Sequence, residues 1–402
     1  MPRFPQRTSR GLRHAAATAA ALTLTAASAT ACSGSGDDAT TSVPHLNAQQ
    51  EIGPAEGSLD LVVWAGYAED GTNDKTADWV TPFEKASGCR VNAKIADTSD
   101  SMVALMKTGR YDGVSASGDA SLRLVYGGDV VPVNTGLLTE YGDIAGYLKN
   151  QSYNSINGQM YGVPHGYGAN LLMYRTDMFS QPPTSWNVVW DTNSQAAGHV
   201  AAYDSPIYIA DAALYLRAHK PSLKIKDPYA LNDKQFDAAV DLLKKQRPNI
   251  NQYWHNYLDE VQSFKSGDNH AGTAWQVIAN VAKSERAPVA TTLPAEGATG
   301  WSDTWMLSSK AQHPNCMYRW MNWITKPQIQ AQVAQYFGEA PANPKACRFT
   351  AKGFCADFHV GDDAFYQRLA FWRTPTADCG KPGKSGCVDY SRWTQAWTQI
   401  KG

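Results

Sequence analysis

Polar and aromatic side chains follow two segments that are predicted to be β-strands, at the points where those strands end. A β-rich run ends at Trp64 and is followed by Tyr67, and a short strand over 111–115 is followed by Ser117 and Asp119. Aromatic faces attract cations, and a carboxylate supplies charge-assisted hydrogen bonds. Because ligands bind beyond the carboxyl ends of strands in open parallel sheets, these positions are the first candidates for a binding site.

The elements that position these residues alternate between strand and helix. Apolar patterning predicts a helix over 77–87, a strand over 90–95 and a helix over 100–108. A strand over 161–174, interrupted by Gly and Pro, is expected to cross between two lobes. Further elements are predicted as helices over 233–245, 259–266 and 328–336 and a strand over 272–275. This alternation predicts parallel sheets with helices on their faces.

Length and charge exclude some classes of protein. A chain of 402 residues predicts two or three domains, and 43% hydrophobic with 18% charged residues is typical of a globular protein. Removal of the four arginines before Cys32 would change the formal charge from −1 to −5. Phosphate binding needs a basic face, so nucleic acid is not expected as a partner.

The N-terminus has the layout of an export signal. A basic stretch is followed by an apolar stretch over 15–28 and by the small residues Ala29, Thr30 and Ala31. We expect residues 1–31 to be a signal peptide. The Cys that follows resembles the acylated Cys of a bacterial lipoprotein, so Cys32 is the expected lipidation site; a plain signal peptide is the alternative. Residues 32–56 are expected to be a flexible tether.

Six further cysteines in an exported chain suggest disulfides. Two local pairs are preferred, Cys379 with Cys387 and Cys347 with Cys355, because the members of each couple are close in sequence. Cys89 and Cys316 either pair or stay buried. A zinc site is the alternative, although the chain lacks CxxC and HxxxH spacing.

Several segments together resemble the spermidine/putrescine-binding proteins of bacterial ABC importers. They are, in order, VVWAGY, YDGVSASGD, GDVVPVNTGLL, YGVPHGYGANLLMYRTD, PPTSW, GTAWQVIANVA, WSDTWML and KPQIQAQVAQYFGEAPANPKA. They extend from about residue 59 to residue 346. No single motif is specific, but their order and spacing match those of this polyamine-binding family.

The resemblance implies an α/β fold of the type II-like periplasmic-binding-protein class. Each of its two lobes has a mainly parallel sheet flanked by helices, and hinge crossovers join the lobes. The expected lobes are 57–166 plus 303–345 and 167–302 plus 346–402. The resemblance also implies a monomer that carries a small cationic organic ligand to an ABC importer permease on the outer face of the bacterial membrane.

The resemblance also implies ligand contacts. Residues of matching type are Trp64, Tyr67, Ser117, Trp275, Trp301 and Asp303. Three further candidates, Asp119, Tyr208 and Glu339, stand where the family carries other residue types. Ser205 and Tyr208 occupy the positions of two acids in the spermidine binder, so the identity of the amine stays open.

These residue types suit an amine. An ammonium leaving water needs a carboxylate partner, for which Asp303 is the first candidate and Asp119 and Glu339 are the next. Each candidate also has a structural interpretation. Asp303 could be a helix cap or a surface ion-pair partner, Asp119 could be the N-cap of a helix over 120–126, and Trp275 could be a core residue. His165, near the crossover, is expected to be structural.

Other functions remain open. A secreted glycosidase would use paired carboxylates, but the chain shows no nucleophile elbow, phosphate loop or zinc-protease motif. No catalytic activity, cofactor or metal is expected. A sugar, a γ-aminobutyrate-like amino acid or an aminophosphonate is the alternative ligand. A ligand with an anionic group would need a basic side chain in the cleft, and Arg175 is the candidate for that role.

Overall fold

The computed structural model describes residues 43–379, 381 and 385–402. Its strands are β1 (Ser58–Val63), β2 (Arg90–Ile95), β3 (Gly113–Ala116), β4 (Val130–Val131), β5 (Ser155–Ile156), β6 (Gln159–Met160), β7 (Gly162–Arg175), β8 (Val200–Tyr203), β9 (Ile250–Trp254), β10 (Ala271–Trp275), β11 (Val289–Thr292), β12 (Ala298–Ser308), β13 (Ala340–Pro341) and β14 (Leu369–Phe371). The predicted signal peptide and Cys32 lie outside the described residues.

The α-helices lie between these strands and at the C-terminal end of the described chain. They are α1 (Val80–Ser87), α2 (Ser99–Lys107), α3 (Gly118–Tyr126), α4 (Asn187–Trp190), α5 (Ile209–His219), α6 (Asp233–Gln246), α7 (Tyr257–Ser266), α8 (Gln276–Ser284), α9 (Pro314–Ile324), α10 (Pro327–Phe337), α11 (Phe354–Asp357), α12 (Asp363–Tyr366) and α13 (Tyr390–Lys401). Short 3-10 helices at Thr135–Leu137, Tyr141–Asp143, Gly146–Leu148, Pro206–Tyr208, Pro221–Leu223, Arg247–Asn249 and Pro344–Arg348 complete the connections.

A curled sheet runs through both lobes of the molecule. Its strand order is β2-β1-β3-β12-β7-β10-β8-β9. Strand β1 pairs in parallel with β2 and β3, and β8 pairs in parallel with β9 and β10. The long strands β7 and β12 pair with each other in antiparallel orientation. The expected α/β, two-lobed fold is therefore confirmed, with antiparallel crossing strands added to the parallel part of each lobe.

Each lobe has its own hydrophobic core. The first contains Leu61 and Trp320, and the second contains Val200 and Phe264. Along β7 the chain passes from the first core to the second between residues 167 and 172, and along β12 it returns between residues 301 and 305. The two strands therefore connect the lobes at the level where the predicted ligand contacts Trp301 and Asp303 lie.

Strand β7 is continuous over 14 residues, despite its Gly and Pro content. Asp303 pairs with Gly166 but Thr304 pairs with Pro164, so His165 is an extra residue in the β7 ladder. Such a bulge bends the strand and changes the direction in which side chains point. The irregular sequence of this strand thus produces a local bend beside Asp303.

Local sequence signals set most helix boundaries. The predicted N-cap Asn232 accepts a hydrogen bond from the Gln235 amide, and the Gln235 side chain bonds back to the Asn232 amide, forming a capping box before α6. Helix α1 begins at Val80, three residues later than the prediction. An isolated bridge between Asp70 and Asp78 holds the preceding segment out of the helix.

The six described cysteines form three disulfides. The two expected local pairs, Cys347–Cys355 and Cys379–Cys387, are confirmed. Cys89 and Cys316, left open by the sequence, also pair, across 227 residues of chain. This third bond ties the start of β2 to α9, and the zinc alternative has no free described thiol.

Residues 43–56, which belong to the predicted tether, lie against the first lobe. Asn315 accepts hydrogen bonds from the Gln49 side chain and the Gly53 amide at 2.6 and 2.7 Å. The Glu56 carboxylate accepts from the backbone amides of Asn315 and Cys316. Only residues 32–42 of the predicted tether lie outside the described chain. Among the described helices, none has the length and apolar character needed to cross a bilayer.

Candidate ligand-binding site

The strand register brings three of the predicted contacts together. Thr304 of β12 lies opposite Ala116 of β3, so Ser117, directly beyond β3, is next to Asp303. Tyr67 follows β1, the parallel neighbour of β3, and reaches the same edge of the sheet. The carboxyl ends of these parallel strands thus meet the crossing strand at Asp303.

A hydroxyl and two carboxyls form the centre of this site. The Tyr67 Oη atom lies 2.7 Å from Asp303 Oδ2 and 2.6 Å from Glu339 Oε2, and the Ser117 hydroxyl donates to Asp303 Oδ1. A phenol carries one hydrogen, so Tyr67 can donate to only one carboxylate. The second short contact requires a proton on the other carboxyl. The site therefore holds two acids and at least one carboxyl proton.

The environment determines which acid carries that proton. Burial raises the pKa of Asp303 to about 7. The hydrogen bonds from Ser117 and Tyr67 favour its charged form and so lower the pKa, but they do not outweigh burial. Burial also raises the pKa of Glu339 well above its ordinary value. We therefore assign the proton to Glu339, which donates to the Tyr67 oxygen, while Tyr67 donates to Asp303. Burial and the two acids raise the pKa of Tyr67 as well, so it stays a phenol.

His165 lies beside the acids without forming an ion pair. Its Nε2 atom is 3.6 Å from Glu339 Oε1, and its ring meets the Tyr67 ring edge-on at 4.7 Å. Burial lowers the pKa of His165 to about 3, so the imidazole is neutral. Within the described residues, Asp303 and Glu339 have no Lys or Arg ion-pair partner. The centre of the site therefore offers negative charge without a built-in counter-ion.

Two glycines of β7 make room for the site. A Cβ atom on Gly166 would lie 1.9 Å from the Glu339 Cδ atom, and one on Gly168 would lie 2.7 Å from the Trp301 indole. Real Cβ atoms do not approach other atoms this closely, so Glu339 and Trp301 occupy space that only glycine leaves open. Trp301 in turn meets Phe337 edge-on at 6.1 Å.

Two predicted tryptophans meet across the lobes. The Trp64 ring of the first lobe lies 6.5 Å from the Trp275 ring, edge to face. Trp275 continues into second-lobe aromatics, with Tyr203 at 5.6 Å and Trp254 at 5.0 Å. The buried Trp64 Nε1 has no hydrogen-bond partner among the described residues. Trp275 thus packs on the second core and also faces the first lobe.

Asp119 lies at the start of α3 but is not its N-cap. Ser117 occupies the N-cap position, and the Asp119 carboxylate accepts from the Ser99 hydroxyl at 2.9 Å. The N-cap interpretation of Asp119 is therefore wrong, because the helix begins two residues earlier than expected. Burial raises the pKa of Asp119 to about 6. Its charge also contributes to the raised pKa of Asp303, so the two acids share one region.

Tyr208 lies apart from this group. Its hydroxyl accepts from Gln246 Nε2 at 3.2 Å, and its ring stacks on Trp190 at 5.7 Å within the second core. The structure thus brings Tyr67, Ser117, Asp303 and Glu339 together. Trp301 adjoins this group through Phe337, whereas Trp64 and Trp275 contact each other and Tyr208 belongs to the core of the second lobe.

Several residues around the site were not identified from the sequence. Phe337 contacts the Tyr67 ring at 4.7 Å, and Trp305 lies 6.4 Å from it. Trp372 stacks on Tyr203 at 5.5 Å. Phe337 lies two residues before Glu339, and Trp305 lies two residues after Asp303. Their proximity in sequence to a candidate acid could have indicated both residues. Trp372 carries no comparable signal, because the chain after Cys355 lies outside the recognised segments.

One group of described residues has the geometry to hold a metal, namely Asp60, Asp112 and His313. The Asp112 carboxylate, however, already accepts from the Asp60, Gln312 and His313 amides and contacts His313 Nδ1 at 2.8 Å. With its lone pairs used in this way, Asp112 connects β1, β3 and the start of α9 as a structural residue.

Arg175, the candidate partner for an anionic ligand, and Arg373 are both engaged elsewhere. Arg175 pairs with Asp177 at 2.6 Å and donates to the Phe264 carbonyl. Arg373 pairs with Asp227 at 2.7 Å and donates to Ser152. Neither bonds to the acids at the centre of the site.

Two lobes joined by crossing strands, with acidic and aromatic side chains buried where they meet, define the architecture of a solute-binding protein. The chain belongs to the family of bacterial extracellular solute-binding proteins, whose family model matches residues 78–353.

The resemblance to polyamine-binding proteins is confirmed by individual relatives. The chain is 23% identical over 348 residues to spermidine/putrescine-binding periplasmic protein 1 of Haemophilus influenzae, covering 84% of this chain and 91% of that protein. The structure of the spermidine/putrescine substrate-binding protein PotD of Streptococcus pneumoniae matches with a TM-score of 0.64 and 18% identity, over 86% of this chain and 97% of the other. A GABA receptor structure, Atu4243, matches equally well, with a TM-score of 0.64, 17% identity and coverage of 86% and 98%.

Proposed function

We propose that this chain captures a small organic cation of the polyamine class and delivers it to an ABC importer. The observation that carries the proposal is the Tyr67 hydroxyl placed between the buried carboxyls of Asp303 and Glu339, which no lysine or arginine of the described chain pairs with. A buried carboxylate is costly unless a cation or several donors compensate it. An ammonium group supplies both the charge and the donors.

The aromatic residues near the acids suit the rest of such a ligand. Indole and phenol faces attract an ammonium by about 0.5–2 kcal/mol each. They also remove methylene groups from water, at about 0.8 kcal/mol per CH₂. The curated relatives that carry polyamine names support this ligand class. The chain acts in this proposal as a binding protein without catalytic activity.

Transport requires that the ligand be enclosed and later released. We assign this motion to the two lobes, with the expected boundaries 57–166 plus 303–345 and 167–302 plus 346–402 and with β7 and β12 as the hinge. Tyr366 lies within the second set of residues but packs in the first core. The boundary after residue 345 is therefore the first to test, by proteolysis with and without ligand.

We further propose that the chain is exported and anchored by a lipid on Cys32, and that it works as a monomer beside its permease. The order of basic, apolar and small residues before Cys32 supports the anchor. Cys32→Ser should release the protein from membranes of the host cell into the medium. Retention of the variant in the membrane fraction would reject the anchor without affecting the ligand proposal.

A thermal-shift panel tests the ligand class. Putrescine and spermidine should raise the melting temperature, because a ligand that binds only the folded state stabilises it. The panel includes γ-aminobutyrate, an aminophosphonate and neutral sugars, and a chromogenic glycoside assay tests for turnover. A shift with sugars and none with amines, or hydrolysis of the glycoside, would reject the amine proposal.

A further inference from the structure

Three basic side chains lie close together at the edge of the first lobe that is opposite the ligand-binding site. Lys107 ends α2, Arg110 precedes β3, and Lys310 follows β12. Because β3 and β12 are antiparallel, the start of β3 and the end of β12 share this edge of the sheet. A Cβ atom on Gly109 would lie 2.6 Å from Lys310 Cδ, so the Lys310 side chain crosses the loop between Lys107 and Arg110. We call Lys107, Arg110 and Lys310 the basic face.

The charges of the basic face are directed to solvent. All three residues are exposed, and none of them forms an ion pair with another described residue. Burial raises the pKa of Asp129, while the charges of Lys107 and Lys310 lower it, so this carboxyl lies near both lysines. Asp129 is only 9% exposed, however, and it lies beneath the surface. The basic face therefore presents positive charge to whatever approaches this end of the lobe.

The described chain begins beside the basic face. A Cβ atom on Gly128 would lie 3.2 Å from Pro44 Cγ, so Pro44 packs against this glycine. The Ser309 hydroxyl, in the residue before Lys310, donates to the Gly128 carbonyl at 2.6 Å. The hydrogen bonds of residues 49–56 keep the segment after Pro44 on the first lobe. The chain that comes from Cys32 therefore joins the lobe next to Lys310.

The length of that chain limits how far the basic face can be from a lipid anchor. Val43 is 11 residues after Cys32, and 11 residues span at most about 40 Å. Anionic lipids attract Lys and Arg side chains that come within a Debye length of the bilayer. Without the four arginines before Cys32, the formal charge falls from −1 to −5, so an anionic bilayer repels the chain as a whole. A basic face beside the anchor would thus be attracted while the chain as a whole is repelled.

We propose that the basic face contacts the anionic headgroups of the membrane, so that the first lobe stands on the bilayer with the ligand-binding site at its other end. This inference rests on the proposed anchor at Cys32, which supplies proximity, whereas the basic face supplies orientation. The contact keeps the site clear of the bilayer while the chain collects its ligand. Three exposed charges give a weak and salt-sensitive contact, which the chain can leave when it meets its permease.

Acetylation of lysines on a vesicle-bound chain tests the contact. The chain is coupled to a maleimide lipid through Cys32, the one cysteine outside the three disulfides, so the result does not depend on acylation in a cell. On phosphatidylcholine vesicles with about one third phosphatidylglycerol, Lys107 and Lys310 should react about threefold to tenfold more slowly than on phosphatidylcholine alone. Lys244 and Lys245, exposed on α6 of the second lobe, should react equally on both. Salt of about 0.5 M should remove the protection.

Two charge-matched variants separate the basic face from the net charge of the chain. Arg110→Gln should bring the protection of both lysines close to none, because one basic residue near an anionic surface contributes about fivefold. Lys234→Gln removes one exposed charge from α6 and should leave the protection unchanged. Both variants should bind amines as the wild-type chain does, since neither residue belongs to the ligand-binding site.

The outcomes separate this contact from the anchor and from ligand binding. Equal acetylation of Lys107 and Lys310 on the two kinds of vesicle would overturn the contact, and equal protection of the α6 lysines would overturn the orientation. Protection that requires the permease in the vesicles would assign the basic face to that protein and overturn the lipid contact. Failure of the anchor is read separately, from the distribution of Cys32→Ser between membrane and medium.

Discussion

Two buried aspartates of the first lobe, Asp112 and Asp303, are served by different donors. Backbone amides of three residues and the His313 ring surround Asp112. Two hydroxyls, those of Ser117 and Tyr67, serve Asp303. Amides are fixed by the fold, whereas a hydroxyl can rotate and leave a lone pair to a ligand. The type of donor, more than burial, therefore distinguishes a structural carboxylate from one available to a cation.

Exchanging each of these two aspartates for asparagine should produce the largest difference in amine affinity between two variants. Asp303→Asn removes the charge that a bound ammonium needs, and we expect amine affinity to fall at least about a hundredfold by calorimetry. Asp112→Asn should leave affinity unchanged and lower the free energy of unfolding by about 1–3 kcal/mol in urea denaturation. Equal losses of affinity in both variants would contradict the different roles assigned to Asp112 and Asp303.

The space that Gly166 leaves beside Glu339 can be filled by a small side chain, which tests whether the position of Glu339 matters for binding. Gly166→Ala places a Cβ atom 1.9 Å from the Glu339 Cδ atom, so the carboxyl must leave its position on Tyr67. We expect a loss of about 1–3 kcal/mol in the free energy of unfolding and weakened amine binding. Gly146→Ala is the matched control, because a Cβ atom there meets nothing within 4 Å. Unimpaired binding by Gly166→Ala would remove Glu339 from the site.

The raised pKa of Asp303 predicts a dependence of stability on pH. Its folded value of about 7 lies above the ordinary value of 3.8, so folding favours the protonated form. The ligand-free protein should therefore lose stability as pH rises from about 4 to 7, on the order of a few kcal/mol for this group.

The variant Asp303→Asn isolates this contribution from those of Glu339 and the other buried acids. Its melting temperature should fall less steeply over the same pH range than that of the wild-type chain, and a saturating amine should reduce the fall for the wild-type chain. Identical pH profiles for the two proteins would contradict the assigned environment of Asp303.

A contact between the lobes gives the smallest expected effect. The Arg123 guanidinium of α3 lies 4.3 Å from the centroid of the Tyr390 ring of α13. Arg123→Gln should weaken this contact between the lobes and lower amine affinity about twofold to fivefold. Arg247→Gln removes a similar contact within the second lobe, where Arg247 lies 5.4 Å from the Tyr253 centroid, and should not change affinity.

Local patterns predicted much of the fold. The predicted strand over 90–95 has the bounds of β2, the Asn232 cap precedes α6, and the close pairs of cysteines are bonded. Each of these features depends on residues that are near one another in sequence. The resemblance to a known family also brought Tyr67, Ser117, Asp303 and Glu339 together, although they are far apart in the chain.

Features that depend on long-range packing could not be predicted in this way. Residues 43–56 look like a linker in composition, yet Asn315 and the start of α9 hold them. Tyr208 stands at a position that the resemblance assigns to the site, but its ring packs on Trp190 in the core. Trp372 reaches the site because the C-terminal segment returns across both lobes, which no local pattern indicates.

Proton exchange on ligand binding shows whether Asp303 is the acid that receives the ammonium group. Burial raises the pKa of Asp303 to about 7, so part of the ligand-free protein carries a proton there at neutral pH, and a bound ammonium should displace that proton. Calorimetry of amine binding in two buffers of different ionisation enthalpy measures the number of protons released. Net release of protons is expected when the amine binds near neutral pH. Amine binding with no proton release, or with proton uptake, would contradict it.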